Sequence, residues 1–205
     1  ERTRQVAEAI NAKDYERAMS LRSSSFKDAF STLKTMIRAL PHPPEPGQKR
    51  FRIAVFNAGA PAPGMNTAAR AAVRLGLDKG HIMLSVSNGF EGLAEGQVRE
   101  MEWTSVSGWA SLGGSVLGTS RMTPKGKDMY AIARALEDHH IDALLVIGGW
   151  NAYEGIHAMI NERANFPAFN IPIVCLPASI NNNLPGSEFS IGADTALNNI
   201  VEAVD

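Results

Sequence analysis

Three short segments gather side chains that suit the handling of an anion. Ser179-Ile180-Asn181-Asn182-Asn183 puts one hydroxyl and three carboxamides into five positions. These groups donate and accept hydrogen bonds without titrating near neutral pH. Arg121, in Gly118-Thr119-Ser120-Arg121, carries a planar guanidinium that can fork two donors onto a phosphate. The run Asn57-Ala58-Gly59-Ala60-Pro61-Ala62-Pro63-Gly64-Met65-Asn66 spaces glycines among alanines and prolines. Glycine lets backbone N–H groups approach a phosphate, and a following helix adds partial positive charge at its N-terminus. The same spacing also suits a plain strand-to-helix turn. No Gly-Lys-Ser/Thr follows, so it is not a Walker loop. Gly113-Gly114-Ser115-Val116-Leu117-Gly118 has glycines at tempting intervals, but no convincing strand precedes it, which speaks against a dinucleotide fingerprint.

Other chemistries find little support. The five histidines, His42, His81, His139, His140 and His157, show no HExxH or other ligand spacing, and no metal is assigned. Glu91, Glu95, Glu100 and Glu102 read as a solvated edge, not a paired acid and base. The single cysteine, Cys175, sits in the apolar run 171–176 and reads as a small buried hydrophobe. One cysteine forms no internal disulfide and suits a reducing compartment.

The net charge of -1 gives no bulk attraction to nucleic acid or to an anionic membrane. With 44% hydrophobic and 20% charged residues, the 205-residue chain has the composition of an ordinary globular protein. There is no apolar stretch of signal-peptide or membrane-spanning kind, so a cytoplasmic location is expected. The pattern starts mid-helix and no cap follows Asp205, so both ends read as interior to a longer chain.

The elements that must position these residues follow from periodicity. Residues 1–40 have helical spacing: Val6, Ala9 and Ile10, then Tyr15, Ala18 and Met19. Asp14 suits the N-cap of a short second helix. Ser24 or Ser25 suits the cap of a third, with Phe26, Phe30, Leu33, Met36, Ile37 and Leu40 on one stripe. The proline-rich run 41–47 then forbids helix and marks a boundary. Beyond it, strands are predicted over 51–56, 81–86, 141–147 and 171–176, with a weaker, more polar one over 98–103. The strands over 141–147 and 171–176 read as buried. Helices are predicted over 66–79, 122–139, 152–163 and 192–205, the second capped by Thr123 with Pro124 in its first turn. Apolar strands alternating with helices imply an α/β fold: a Rossmann-like, mainly parallel sheet with helices on both faces, preceded by a helical linker. In such sheets ligands bind beyond the carboxyl ends of the strands. The loops at 57–65, 148–151 and 177–187 are therefore the places to look.

The order and spacing of NAGAPAPGMNTAARAAVR, GFEGL, LGGSVLGTSR, IDALLVIGG and LPASINNNLPGSEFSIGADTALN resemble the ATP-dependent 6-phosphofructokinase family over about residues 50–205. GAPAPGMN, GGWNAYEG and NNNLPGSEFSIGADTALN resemble the second, regulatory half of the eukaryotic, fungal-like members. The resemblance implies a linker between halves over 1–50 and the first, incomplete lobe of the C-terminal regulatory domain over 51–205. Catalytic members carry GGDGS, whose Asp serves Mg²⁺, and TIDND, whose first Asp is the general base. Here Trp150 stands at the first position and Asn181 at the second. An indole is no ligand for a hard cation and an amide is not basic near neutrality, so this half is expected to be inactive by itself.

The resemblance further implies that Arg121, Ser179, Ile180, Asn181, Asn182 and Asn183 bind the activator fructose 2,6-bisphosphate. Gly59, Arg70, Arg74 and Gly149 are candidate phosphate or interface contacts. Arg70 and Arg74 share a helix face and match arginines that bind an allosteric nucleotide in bacterial relatives. A further basic group of that bacterial site is represented here by Gln97 or its neighbour. Trp150 and Tyr153 can stack on an adenine, with core packing the stronger expectation. For the intact protein the resemblance implies glycolytic phosphoryl transfer with ATP and Mg. The implied partners are a sugar bisphosphate, an adenine nucleotide, the N-terminal catalytic half, and other subunits of a homo- or hetero-oligomer. A purely structural, oligomerising module is the alternative.

Overall fold

The computed structural model describes residues 2–21, 24–38, 44 and 46–204. The chain forms two compact units, 1–40 and 41–205. The first holds α1 (Arg2–Asn11), α2 (Tyr15–Ser20) and α3 (Ser24–Arg38). Val6, Ala9 and Ala18 are buried, whereas Ile10, Tyr15 and Leu33 of the expected stripes are exposed. Asp14 caps α2 as its residue type predicts, accepting the N–H of Arg17 at 3.0 Å. The cap of α3, the side chains of Phe26, Met36, Ile37 and Leu40, and most of the proline run lie outside the described residues.

The second unit follows the α/β pattern. In order come β1 (Arg52–Ala58), α4 (Met65–Asp78), β2 (Ile82–Val86), α5 (Gly89–Ala94) and β3 (Val98–Met101). Then follow α6 (Lys127–Asp138), β4 (Ala143–Gly148), α7 (Trp150–Asn161), β5 (Ile173–Pro177) and α8 (Ala193–Val204). The sheet order is β3-β2-β1-β4-β5, parallel throughout except for β3, which runs antiparallel to β2. Alternation along β1 divides the core. Ala54, Phe56 and Ala58 face a layer with Phe90 and Leu93 of α5, Ile132 and Leu136 of α6, and Met159 of α7. Val55 faces Met65, Ala69 and Val73 of α4, together with Trp109 and Leu117. Both faces are thus covered, which is what keeps parallel strands out of water. Phe56 and Phe90 meet edge to face at 5.1 Å.

Three expectations are corrected. The predicted helix over 122–139 begins only at Lys127, behind Gly126 at φ +49°. Thr123 and Pro124 lie in the irregular segment before it, and the Lys125 N–H donates to Asp128 Oδ2 at 3.3 Å. The 89–94 segment, for which no element was predicted, is a short helix held by its buried Phe90 and Leu93. The strand at 173–177 is an edge strand, and Val174 is 53% exposed. On α8, Leu197, Ile200, Val201 and Val204 recur at helical spacing and are all exposed. No helix among the described residues is long and apolar enough to cross a membrane.

Candidate functional site at the strand switch point

From β1 the chain crosses to β2 on one side and later to β4 on the other. The switch point therefore lies between the carboxyl ends of β1 and β4. Gly59 follows β1 there with φ +91°; a Cβ on it would stand 3.5 Å from Asn151 Cβ and 3.9 Å from the Gly149 nitrogen. A Cβ on Gly149 would in turn meet Ser179 Cβ at 3.3 Å and Oγ at 3.4 Å. Gly59, Gly149, Asn151 and Ser179, from the ends of three strands, thus meet in one place. The small residues allow the loops this close.

The two residues before Arg121 are tied to this place. The Gly59 N–H donates to Ser120 O at 2.8 Å, and Thr119 Oγ1 donates to Gly59 O at 2.7 Å. Arg121 follows directly, exposed, with no hydrogen bond or ion pair to its guanidinium among the described residues. Its fork is free. The loop before it is fixed by two buried asparagines that sequence reasoning missed. Asn66 Nδ2 donates to Leu112 O at 2.9 Å and Gly113 O at 3.1 Å, while its Oδ1 accepts Val116 N–H at 2.7 Å. Asn57 Nδ2 donates to Ser115 Oγ at 2.6 Å, which in turn donates to Gly118 O at 2.6 Å.

In the 179–183 run, the Asn181 N–H donates to Ser179 Oγ at 3.2 Å. Ile180, Asn181, Asn182 and Asn183 are exposed. Asn182 differs from its neighbours: its carboxamide is bonded within the loop, to Glu188 O and Ser190 N.

Arg70 and Arg74 are not drawn into the crevice contacts. Arg74 Cζ lies 4.7 Å from the Trp103 ring centre, and its Nε is buried without a hydrogen-bond partner. Gln97, which stands where the bacterial site has a basic group, joins Asn88 at 3.1 Å and Glu95 at 2.6 Å; Trp103 is the residue that meets Arg74. The signal for Trp103 was a tryptophan just after a polar strand, which by itself names no partner.

Trp150 is not core. It is 49% exposed at the start of α7, its Nε1 donating to Glu154 Oε1 at 2.7 Å. With Tyr153, Glu154, His157, Leu184 and Pro185 it lines a cleft of about 350 Å³. Behind it, burial pushes the Cys175 thiol up to about 12, against a smaller lowering by its hydrogen bond from Tyr153. Burial, then the neighbouring Cys175, likewise raises the Tyr153 phenol. Both stay protonated at neutral pH.

No carboxylate occurs in the loops 57–65, 118–121, 148–151 or 177–187. Mg²⁺ seeks carboxylate oxygens. The loop 148–151, where Trp150 stands, therefore supplies no such ligand, and the described residues hold no group of three or more His, Cys, Asp or Glu that could hold a metal. The crevice brings the backbone of Gly59 and Gly149 together with Asn151 and Ser179, with Arg121 one residue beyond the Ser120 that bonds Gly59: groups of the kind that hold an anion.

The family model described as Phosphofructokinase matches residues 52–205. The chain is 43% identical over 205 residues to the ATP-dependent 6-phosphofructokinase subunit beta of Candida albicans, covering 99% of this chain and 22% of that protein. It is 45% identical over 203 residues to the human ATP-dependent 6-phosphofructokinase, platelet type, covering 99% and 26%. The crystal structure of Pichia pastoris phosphofructokinase in the T-state superposes with a TM-score of 0.78 at 39% identity, over 100% of this chain and 23% of that one. The chain thus spans about a quarter of the length of these relatives. On the match across its α/β unit, this chain belongs to the phosphofructokinase family.

Proposed function

We propose that this chain is a regulatory part of an ATP-dependent 6-phosphofructokinase and that its switch-point crevice binds the activator fructose 2,6-bisphosphate without transferring a phosphoryl group. One observation carries the reading: Gly59, Gly149, Asn151 and Ser179 meet at the switch point, the unpaired Arg121 directly follows the Ser120 that bonds Gly59, and the stretches 57–65, 118–121, 148–151 and 177–187 hold no carboxylate. Transfer from ATP to a sugar hydroxyl needs a group to take the hydroxyl proton and a cation to offset phosphate charge. Asn181 cannot take the proton and Trp150 cannot hold the cation.

In the binding role, Arg121 forks onto one phosphate. Ser179, Asn181 and Asn183 take sugar hydroxyls or the second phosphate, and the backbone at Gly59 and Gly149 lines the floor. ATP and Mg then serve a catalytic half elsewhere in the intact, cytosolic enzyme. The effector acts by binding one of two conformations more tightly.

A second ligand reading has its own support. The exposed Trp150 ring, beside Tyr153 and His157 in the 350 Å³ cleft, suits stacking of an adenine nucleotide. Arg70 and Arg74 remain candidate contacts to another subunit or to a phosphate.

The test is calorimetric titration of fructose 2,6-bisphosphate into the full-length protein, wild type and Arg121→Ala. Saturable binding weakened at least tenfold by the substitution is expected, since a charge-assisted pair contributes about 1.5–3 kcal/mol. Binding unchanged by the substitution moves the effector elsewhere. No binding by the wild type leaves an oligomerising module as the better reading.

A further inference from the structure

We infer that Asn182 is a positioning residue, whose side chain latches the 179–191 loop from within and so sets the loop shape that carries Ser179 and Asn181, without touching the ligand. This rests on the anion-binding reading of the crevice given above. The loop's base is shut by backbone bonds: Ser179 N–H to Ile191 O at 3.0 Å and Ile191 N–H to Pro177 O at 2.8 Å. Between these ends the chain runs through Pro185 and Gly186 with no helix or strand.

The Asn182 carboxamide spans that gap. Its Nδ2 donates to Glu188 O at 3.2 Å and its Oδ1 accepts Ser190 N–H at 2.8 Å. Ser190 is buried, at 2% exposure, so its N–H would be an orphan without this bond. Asn182 sits at φ +47°, a left-handed conformation that asparagine tolerates far better than most residues. The neighbouring asparagines differ. The carboxamides of Asn181 and Asn183 have no partner among the described residues, so they are the ones left to meet a ligand. Both ends of the Asn182 amide are needed. Aspartate keeps the acceptor only, and glycine keeps the backbone conformation only.

The test is residue-resolved hydrogen exchange at Ser190 in the ligand-free full-length protein, paired with fructose 2,6-bisphosphate titration. Asn182→Ala and Asn182→Gly are expected to exchange Ser190 N–H about thirtyfold faster than wild type, the loss of two net hydrogen bonds. Asn182→Asp, which retains the acceptor and loses the bond to Glu188 O, is expected to exchange it about fivefold faster than wild type. Affinity is expected to fall about fivefold in the alanine and glycine variants.

Wild-type exchange in Asn182→Gly would overturn the latch, because the left-handed backbone alone would then hold the loop. Weakened binding with unchanged exchange would overturn it too, making Asn182 a ligand contact. Faster exchange with unchanged affinity would sink the positioning role. Should the wild type bind no bisphosphate, the reading of the crevice fails, while Ser190 exchange still decides the latch.

Discussion

Asn66 offers a sharp test of how the Arg121 loop is held. It is 1% exposed, and its carboxamide makes three hydrogen bonds, two as donor to the carbonyls of Leu112 and Gly113. In Asn66→Ala those carbonyls and the Val116 N–H lose their partner. Leu112, Gly113 and Val116 are exposed, so water can replace the amide in part. At about 1 kcal/mol net per bond, the cost is about 1–3 kcal/mol.

Asn66→Asp has the same shape but a different sign of interaction. One oxygen still accepts Val116 N–H; the other faces carbonyl oxygens. The folded protein can keep that aspartic acid only by holding a proton, which raises its pKa above the unfolded value of about 3.9. A raised folded pKa gives stability that is present below the unfolded pKa and lost as pH rises through the folded one. The loss is about 1.4 kcal/mol per pH unit within that window. Each unit by which the folded value exceeds the unfolded one therefore costs about 1.4 kcal/mol at neutral pH. Urea unfolding of wild type, Asn66→Ala and Asn66→Asp between pH 4.5 and 7.5 (roughly that window), followed by tryptophan fluorescence, measures this. If the aspartate variant tracks the alanine variant at every pH, the donor role of Asn66 is refuted.

Other predictions follow from single contacts. Cys175, with its thiol pushed up to about 12, should resist alkylation in the native protein at about pH 8 and react on unfolding, as read by mass spectrometry. Its stabilising contribution is present below the ordinary thiol range of about 8.5 and lost as pH climbs through about 12, so thermal stability should fall across that interval in wild type more than in Cys175→Ala. Gly155→Ala drives a methyl into the Phe90 ring and should cost about 1–3 kcal/mol by chemical denaturation. Gly64→Ala combines φ +88° with a Cβ 2.8 Å from Ile191 Cγ2, so a loss of about 1–3 kcal/mol is expected, against near neutrality at Gly113, where a Cβ meets nothing.

The strands were legible because buried parallel strands are nearly continuous apolar runs, as at 143–148. The crevice loops were legible from a topological rule, which needs only the strand ends. The start of α6 was misread because Thr-Pro is a helix-start signal by residue type, whereas the chain turns later, at Gly126. The short α5 carries two glycines in six residues and has poor local preference; burial of Phe90 and Leu93 makes it a helix. Core packing is the stronger expectation for Trp150 over adenine stacking, yet in the first turn of α7 it is exposed. Asn66 and Asn182 were legible as polar residues but not as latches. The partner of Asn66 Oδ1 lies 50 positions away, and that of Asn182 depends on how a loop without regular structure closes.

The exposed stripe Leu197, Ile200, Val201 and Val204 bears on how this 205-residue chain behaves in solution. Nothing among the described residues covers it, and the edge strand β5 adds the exposed Val174. Apolar surface of this kind drives self-association, and association shifts an apparent melting temperature by mass action. The melting temperature of the chain in isolation should therefore rise with protein concentration. Its colloidal behaviour, set by a few leucines, isoleucines and valines, becomes a variable to be fixed before any variant is compared with another.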